Sequence, residues 1–466
     1  MAPASPYAVN ALYRPPAPRP MPPLRSLLRV MREGNGNLLS LVPSDAYTKP
    51  VTHLGYSRRS IILVNDPDAV RDVMTDPLGI FPKNDLFVGA LEPLVGDSIF
   101  VSHGETWRKQ REMIDPAFSQ LRIRQAYPAM VDAVRAADER LAEVADSGEP
   151  LSLDVLTSQL TADVICRTIF SEPLDGTTAQ RVFHLFSRFE RSVASVSLRQ
   201  LIFGKPWDDV RQPTAVLEAC EEIRALIGEM VDPRLAEDDG GADDIVAAVI
   251  RATDPQTGER FTRSELIDEL GVFFLAGHET TASALTWAIF MLSQQPKTLS
   301  RLRAEVAERC GDDLPDFESV KQLAFVRSVF RESLRLYPPI TFIPRVAAEA
   351  TTIAGVRIKR GAMVMVSPWT THRNSLQWRD PDRFDPDRFM PGAEPDERPN
   401  TFLSFGLGPR VCIGAAFATV ESALILAGLA ARYDFEPLDA EHVWPVARLT
   451  TRPAREILCR VRRRAT

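Results

Sequence analysis

The chain has no Cys-x-x-Cys pair, and its five cysteines (Cys166, Cys220, Cys310, Cys412, Cys459) are odd in number and widely spaced. That argues against a disulfide framework and for a reducing, cytoplasmic setting. Six scattered histidines, none at a two-ligand helical spacing, remove the usual zinc site. Positive charge is not in excess: 55 Lys and Arg stand against 62 Asp and Glu, a net charge of −7, so no nucleic-acid partner is expected. There is also no uninterrupted apolar run that would suit a membrane. The nearest imitation, Gly271 to Leu292, carries His278, Glu279, Thr280 and Thr281 at its centre, which would be costly in lipid. It reads as the buried helix of a soluble protein with no membrane anchor.

What is present is enough apolar residue for a large core, 45% of the chain, balanced by 25% charged residues. Met1 to Pro23 holds eight prolines and is expected to be extended, within a Pro-rich N-terminal segment of residues 1–30. Residues 31–466 then form one domain, mainly α with a minor β region, and no internal repeat or linker divides it. The β-branched run at 60–65 reads as a strand, and Asp66-Pro67 as the start of a helix reaching about 75. Helical periodicity follows at about 105–115, 125–147, 152–171, 177–197, 213–231 and 242–252. Thr262-Arg-Ser-Glu265 is a capping box that opens a helix from 263 to 294. Such a helix, roughly 48 Å long and apolar nearly all round, must run through the core. Helices at about 296–310 and 322–337, strands near 350–366, an irregular stretch from 374 to 399, a helix at about 414–431 and a strand-rich tail complete the expected order.

The most specific motif is Phe405-Gly406-Leu-Gly408-Pro-Arg410-Val-Cys412-Ile-Gly414. A lone intracellular cysteine is usually a small buried hydrophobe. Here glycines on both sides allow the backbone to turn tightly beneath a flat ring, and amides can point at sulfur. Arg410 can meet a carboxylate, and a helix starting after the sulfur favours thiolate.

The loop resembles the cysteine-ligand signature of the cytochromes P450, and the resemblance extends over about residues 50 to 460 through four further motifs in the family's order. It implies the P450 fold, with haem b between a long central helix and the loop in which Cys412 is the axial ligand. In the long helix, Ala276-Gly277-His278-Glu279-Thr280 is similar to the stretch that delivers protons during dioxygen activation. Ala276 and Gly277 leave room against the haem, Glu279 and Thr280 are catalytic, and the Thr280 hydroxyl can bond back to the carbonyl of Ala276. Glu332-x-x-Arg335 and Arg388 match a buried triad that braces the cysteine loop. Asp387 stands where the family more often has Glu. Trp107-x-x-x-Arg111, Arg345 and, less specifically, His103 match positions that meet the haem propionates.

The resemblance implies a monooxygenase that inserts one atom of O2 into a lipophilic substrate such as a fatty acid, terpenoid, steroid or aromatic. Leu86, Phe87 and Val88 (in a loop), Phe273, Ile340, Thr341, Phe342 and Leu449 are the expected pocket residues. The chain holds no flavin or iron–sulfur module. NAD(P)H would therefore act indirectly, through a ferredoxin and a ferredoxin reductase, with Arg108, Lys109, Arg122 and Arg124 as a steering patch. A monomer is expected. A peroxide-driven oxygenase, or a haem-binding sensor without turnover, would be expected to lack the Glu279-Thr280 pair.

Overall fold

A computed structural model describes residues 13–464 except 34–36, 55–59, 175–176, 194–203, 208–209, 211, 238–243 and 394–397. The long helix, Arg263–Ser293, begins at the capping box: Thr262 accepts from the Glu265 amide, and Glu265 accepts from the Thr262 amide at 2.7 Å. Its 31 residues rise about 46 Å. Between Glu269 and Leu292 nearly every side chain is buried, because other helices enclose it. Helix Leu153–Ile169 lies along it, joined where the hydroxyls of Thr157 and Thr286 meet at 2.7 Å and where Thr161 donates to the His278 carbonyl at 3.0 Å.

A mixed four-stranded sheet forms beside the helices, in the order Val51–Leu54, Ile61–Val64, Met363–Val366, Ile343–Val346. Its second and third strands are parallel and buried on both faces. Ile62, Val64, Val364 and Val366 pack to one side, and Ile61, Leu63 and Met363 to the other. Double-sided burial is why these strands read as continuous apolar runs rather than alternating ones.

The structure departs from the sequence reading in four places. Residues 85–88 are not a loop: Asp85–Val95 is a helix, capped by the Asn84 side chain on the Leu86 amide and closed by Gly96 at φ 51°. Gly89 and Pro93 obscured it, yet Pro93 lies close enough to the C-terminus to cost little. Pro23–Glu33, directly after the proline-dense stretch, is helical. Helix Gln120–Ser147 starts earlier than expected and carries Pro128 internally. The helix expected at 322–337 is two, Phe317–Gln322 and Ala324–Leu336, hinged at Leu323. The last helix, Ala415–Ile425, passes into a π turn at Leu426–Ala430.

Candidate haem-thiolate site

The cysteine loop is a tight hairpin. Gly406 (φ 78°) and Gly408 (φ 74°) take left-handed backbone that only glycine adopts cheaply, and a Cβ on Gly408 would lie 3.1 Å from the Met74 carbonyl. The Cys412 amide donates to the Phe405 carbonyl at 2.8 Å. Cys412 is an exposed residue, yet desolvation raises its thiol above the ordinary range. The Gly414 amide on its sulfur and the Arg111 guanidinium pull in the opposite direction, toward thiolate.

Arg111 does not turn away to a propionate position. Its Nη1 donates to the Val411 carbonyl at 2.8 Å, and its Nε pairs with Asp115 at 2.7 Å. It therefore supports the loop segment carrying the sulfur. Trp107 lies under Arg410, whose guanidinium carbon is 4.3 Å from the ring centroid. His103 is exposed at the N-terminus of helix Gly104–Ile114 and caps nothing.

Three cations meet above this loop. Arg410 donates to the Ser102 carbonyl at 3.1 Å, and its Nη1 is buried with no partner. Arg345 is buried on the sheet edge, where its backbone bridges to that of Lys83. Burial, then Arg345, pushes Arg410 down to about 10, and burial brings Arg345 to about 10. Lys83 falls well below its usual value through desolvation, then Arg410 and Arg345. No ion pair joins these three to a carboxylate among the described residues. Asp76, which acts on both arginines, is already bonded to the amides of Ile80 and Phe81. Crowded cations with an orphaned N–H suit a dianion such as the two propionates of haem b, whose carboxylates match the donor geometry of a guanidinium. Lys83 was not legible in the sequence, since only the bridge to Arg345, distant in the chain, brings it there.

On the long helix, the residues that stay accessible between Glu269 and Leu292 are Ala276, Gly277 and Thr280. They share one face. The Thr280 hydroxyl donates to the Ala276 carbonyl at 2.7 Å. Gly277 serves a helix contact: a Cβ there would meet Ile165 Cδ1 at 2.6 Å. Glu279 is buried and turned to the tail, accepting from Thr450 Oγ1 at 2.5 Å and from Arg452, whose Nη2 also reaches Ser158. His278 is buried against Phe274 and Phe186 and held neutral by desolvation.

Behind the loop, Arg335 spends all five donors: two on Glu332 at 2.7 and 2.8 Å, and three on the carbonyls of His372, Pro381 and Arg383. Glu332 and Arg335 are fully buried, and Arg388 lies 3.5 Å from the same carboxylate. His372 was missed in the sequence. Its Nδ1 meets the Arg335 carbonyl at 2.9 Å and its Nε2 accepts from the Leu403 amide at 2.8 Å. These partners fix the neutral tautomer, which burial also favours. His372 thus ties the buried ion pair to the start of the cysteine hairpin. Asp387 lies outside the triad, paired on the surface with Arg301 at 2.5 Å.

The expected pocket residues divide. Phe87, Val88 and Leu449 are half-buried against the main core, and Phe273 is buried edge-on to Phe118 at 5.3 Å. Leu86 and Phe342 instead pack with Leu54, Leu63 and Met363 beside the sheet. Ile340 is half-buried. Thr341 is buried, its carbonyl accepting from Ser367 at 3.0 Å.

A helical fold that sets Cys412 on a glycine hairpin, beside Arg345, Arg410 and Lys83 with no ion pair to a carboxylate among the described residues, suits a haem-thiolate protein. The sequence profile of the cytochrome P450 family matches residues 15–460, and the chain belongs to that family of oxidoreductases. It is 31% identical to cyclooctatin synthase of Streptomyces melanosporofaciens, over 86% of each chain. It is also 31% identical to cyclooctat-9-en-7-ol 5-monooxygenase of the same organism, over 89% of this chain and 86% of the other. A cytokinin hydroxylase of Arabidopsis thaliana is 28% identical, over 84% and 77%. The solved cytochrome P450DA heme domain shares the fold with a TM-score of 0.79 at 23% identity, over 97% of this chain and 98% of that one. No helix among the described residues is long and apolar enough to cross a membrane.

Proposed function

We propose that this cytochrome P450 is a monooxygenase that inserts one oxygen atom from O2 into a lipophilic substrate, drawing electrons from a separate protein. The observation that carries this reading is the accessible Ala276–Thr280 face of an otherwise buried helix, with the Thr280 hydroxyl bonded to the Ala276 carbonyl. When bound, thiolate-ligated haem supplies reductive cleavage of dioxygen. Cys412 would hold the metal. Lys83, Arg345 and Arg410 would hold the propionates, and Trp107 would support Arg410. Thr280 holds an exchangeable proton at the accessible face, and its back-bond weakens the helix locally so that water can approach. Glu279 is the reserve of charge behind it. Proton transfer from Glu279 requires its Arg452 bond to loosen, because the pair is tight in this state.

The apolar side chains Phe87, Val88, Phe273 and Leu449 favour a substrate such as a terpenoid, fatty acid, steroid or aromatic. Of the two Streptomyces relatives, one is named as a monooxygenase of cyclooctat-9-en-7-ol, an alcohol, which supports oxidation of a lipophilic substrate. The test is turnover under labelled dioxygen with NAD(P)H, a surrogate ferredoxin and its reductase, after screening lipophilic compounds for a spin-state shift. One labelled oxygen per product is expected. Product formed with peroxide alone, and none with the reductase system, would overturn the reading in favour of peroxide-driven chemistry.

Two outcomes follow from named side chains. Thr280→Ala should raise peroxide release several-fold per NAD(P)H consumed, because the proton-bearing hydroxyl is gone. Coupling equal to wild type across several substrates would remove Thr280 from the mechanism. On the surface, the expected steering patch is partly neutralised: Arg108 pairs with Glu105, Lys109 lies 3.9 Å from Asp254 and Arg124 lies 3.9 Å from Glu318. An Arg122→Glu, Arg124→Glu double variant should slow ferredoxin association by about tenfold at low salt, with the difference shrinking as salt rises. Association rates unchanged at every ionic strength would place the docking surface elsewhere.

A further inference from the structure

Glu269 is a fully buried carboxyl on the long helix; among the described residues no cation forms an ion pair with it, although its charge acts on Lys83. Burial, opposed by one backbone amide, pushes Glu269 up to about 8. Both of its oxygens face a single donor, the amide of Ile99, at 3.0 and 3.2 Å. A carboxyl in such a place is costly to keep. An apolar side chain of similar size would fill the space at less expense, so what the carboxyl adds is a fixed distance to Ile99.

Ile99 belongs to a short turn, Ser98 to Ser102, that is held from three other directions. Lys83 donates to the Phe100 carbonyl and lies 5.0 Å from the Phe100 ring centroid. Arg410, from the cysteine hairpin, donates to the Ser102 carbonyl. Gln110 ties the turn's ends together, bonding the Ser102 hydroxyl at 2.5 Å and the Asp97 carbonyl at 2.6 Å. The turn therefore spans from the cysteine hairpin at one end to the long helix at the other. Its Phe100 ring stands 5.5 Å from that of Phe87, and both are half-buried against the main core. Along the long helix, Glu269, Phe273, Ala276 and Thr280 follow the i, i+4, i+7, i+11 spacing of one face. The carboxyl thus sits on the same stripe as the accessible Ala276 and Thr280.

We propose that Glu269 is a positioning residue that sets how far the Ile99–Phe100 turn stands from the long helix, and so the width of the apolar compartment beside Phe87, Phe100, Phe273 and Ala276. This rests on the haem-site reading above. It adds that substrate size is limited by a polar anchor outside the compartment rather than by the lining side chains alone.

The test compares haem-loaded wild type with Glu269→Gln, Glu269→Asp and Glu269→Leu. Dissociation constants for imidazole and 4-phenylimidazole are read from the Soret shift, and amide hydrogen exchange is read over residues 97–102. Glutamine still offers an oxygen to Ile99 and should keep both constants within about twofold of wild type. Leucine should leave imidazole nearly unchanged, shift the ratio of constants at least tenfold in favour of 4-phenylimidazole, and speed exchange at 97–102 by at least tenfold. Aspartate, one methylene shorter, should fall between them. A leucine variant with the wild-type ratio and wild-type exchange would overturn the proposal. If the leucine variant does not load haem, the aspartate variant decides it by the same two measurements. A wild-type protein giving no Soret shift with imidazole would instead defeat the haem reading, and exchange at 97–102 would still judge the anchor.

Discussion

Replacing Cys412 with serine is expected to abolish the strongly red-shifted Soret band of the reduced carbon monoxide complex. The other four cysteines cannot take over. Cys166, Cys220 and Cys459 are buried in the core, with desolvation raising each thiol, to about 11 for Cys220 and about 12 for Cys459. Cys310 ends a surface helix, and burial and nearby carboxylates raise it as well. Cys412 alone is an exposed residue with an amide donor on its sulfur and a guanidinium acting on it. Cys310→Ser, with the same loss of sulfur, should keep the band. A red-shifted band in Cys412→Ser would sink the assignment of the axial ligand.

Motifs whose chemistry is local were readable before any coordinates. The capping box at Thr262 needs only residues three apart, and the Thr280 back-bond only residues four apart, so spacing alone anticipated both hydrogen bonds. Gly406 and Gly408 were legible for the same reason, since glycine alone takes positive φ cheaply, whereas Gly414 sits at φ −84°. What sequence spacing could not carry is the partner chosen across the fold. Arg111 was placed by its helical distance from Trp107, but the fold brings the distant Val411 carbonyl within its reach, beside the local i, i+4 partner Asp115. Gly277, read as clearance for a cofactor, also gives clearance to Ile165 across the helix contact. Lys83 and His372 carry no motif, because one depends on a bridge to Arg345 and the other on two backbone groups from separate segments. Glu279 kept its burial but gained Arg452 and Thr450, residues some 170 positions away that no local pattern could assign.

Arg335→Met is expected to prevent accumulation of haem-loaded protein, with a loss of stability of about 3–5 kcal/mol. The guanidinium satisfies the Glu332 carboxylate and three backbone carbonyls at once, all in the interior. Methionine fills part of the volume but leaves a buried carboxylate with only Arg388 and the Asp385 amide near it. It also frees the segment from His372 to Arg383, and with it the His372 bond to Leu403 that orients the hairpin. The loss is therefore transmitted to Cys412 through position as well as through global stability. A surface pair of similar geometry provides the contrast: Arg301 and Asp387 are 2.5 Å apart but both half-exposed, so Arg301→Met should change stability by less than about 1 kcal/mol. Haem content, the carbon monoxide spectrum and far-ultraviolet circular dichroism of the two variants separate the cases. His372→Gln keeps a donor and an acceptor and should retain more of the red-shifted band than His372→Leu, at equal helical content. If Arg335→Met loads haem and shows the wild-type band, the buried pair does not support the cysteine hairpin.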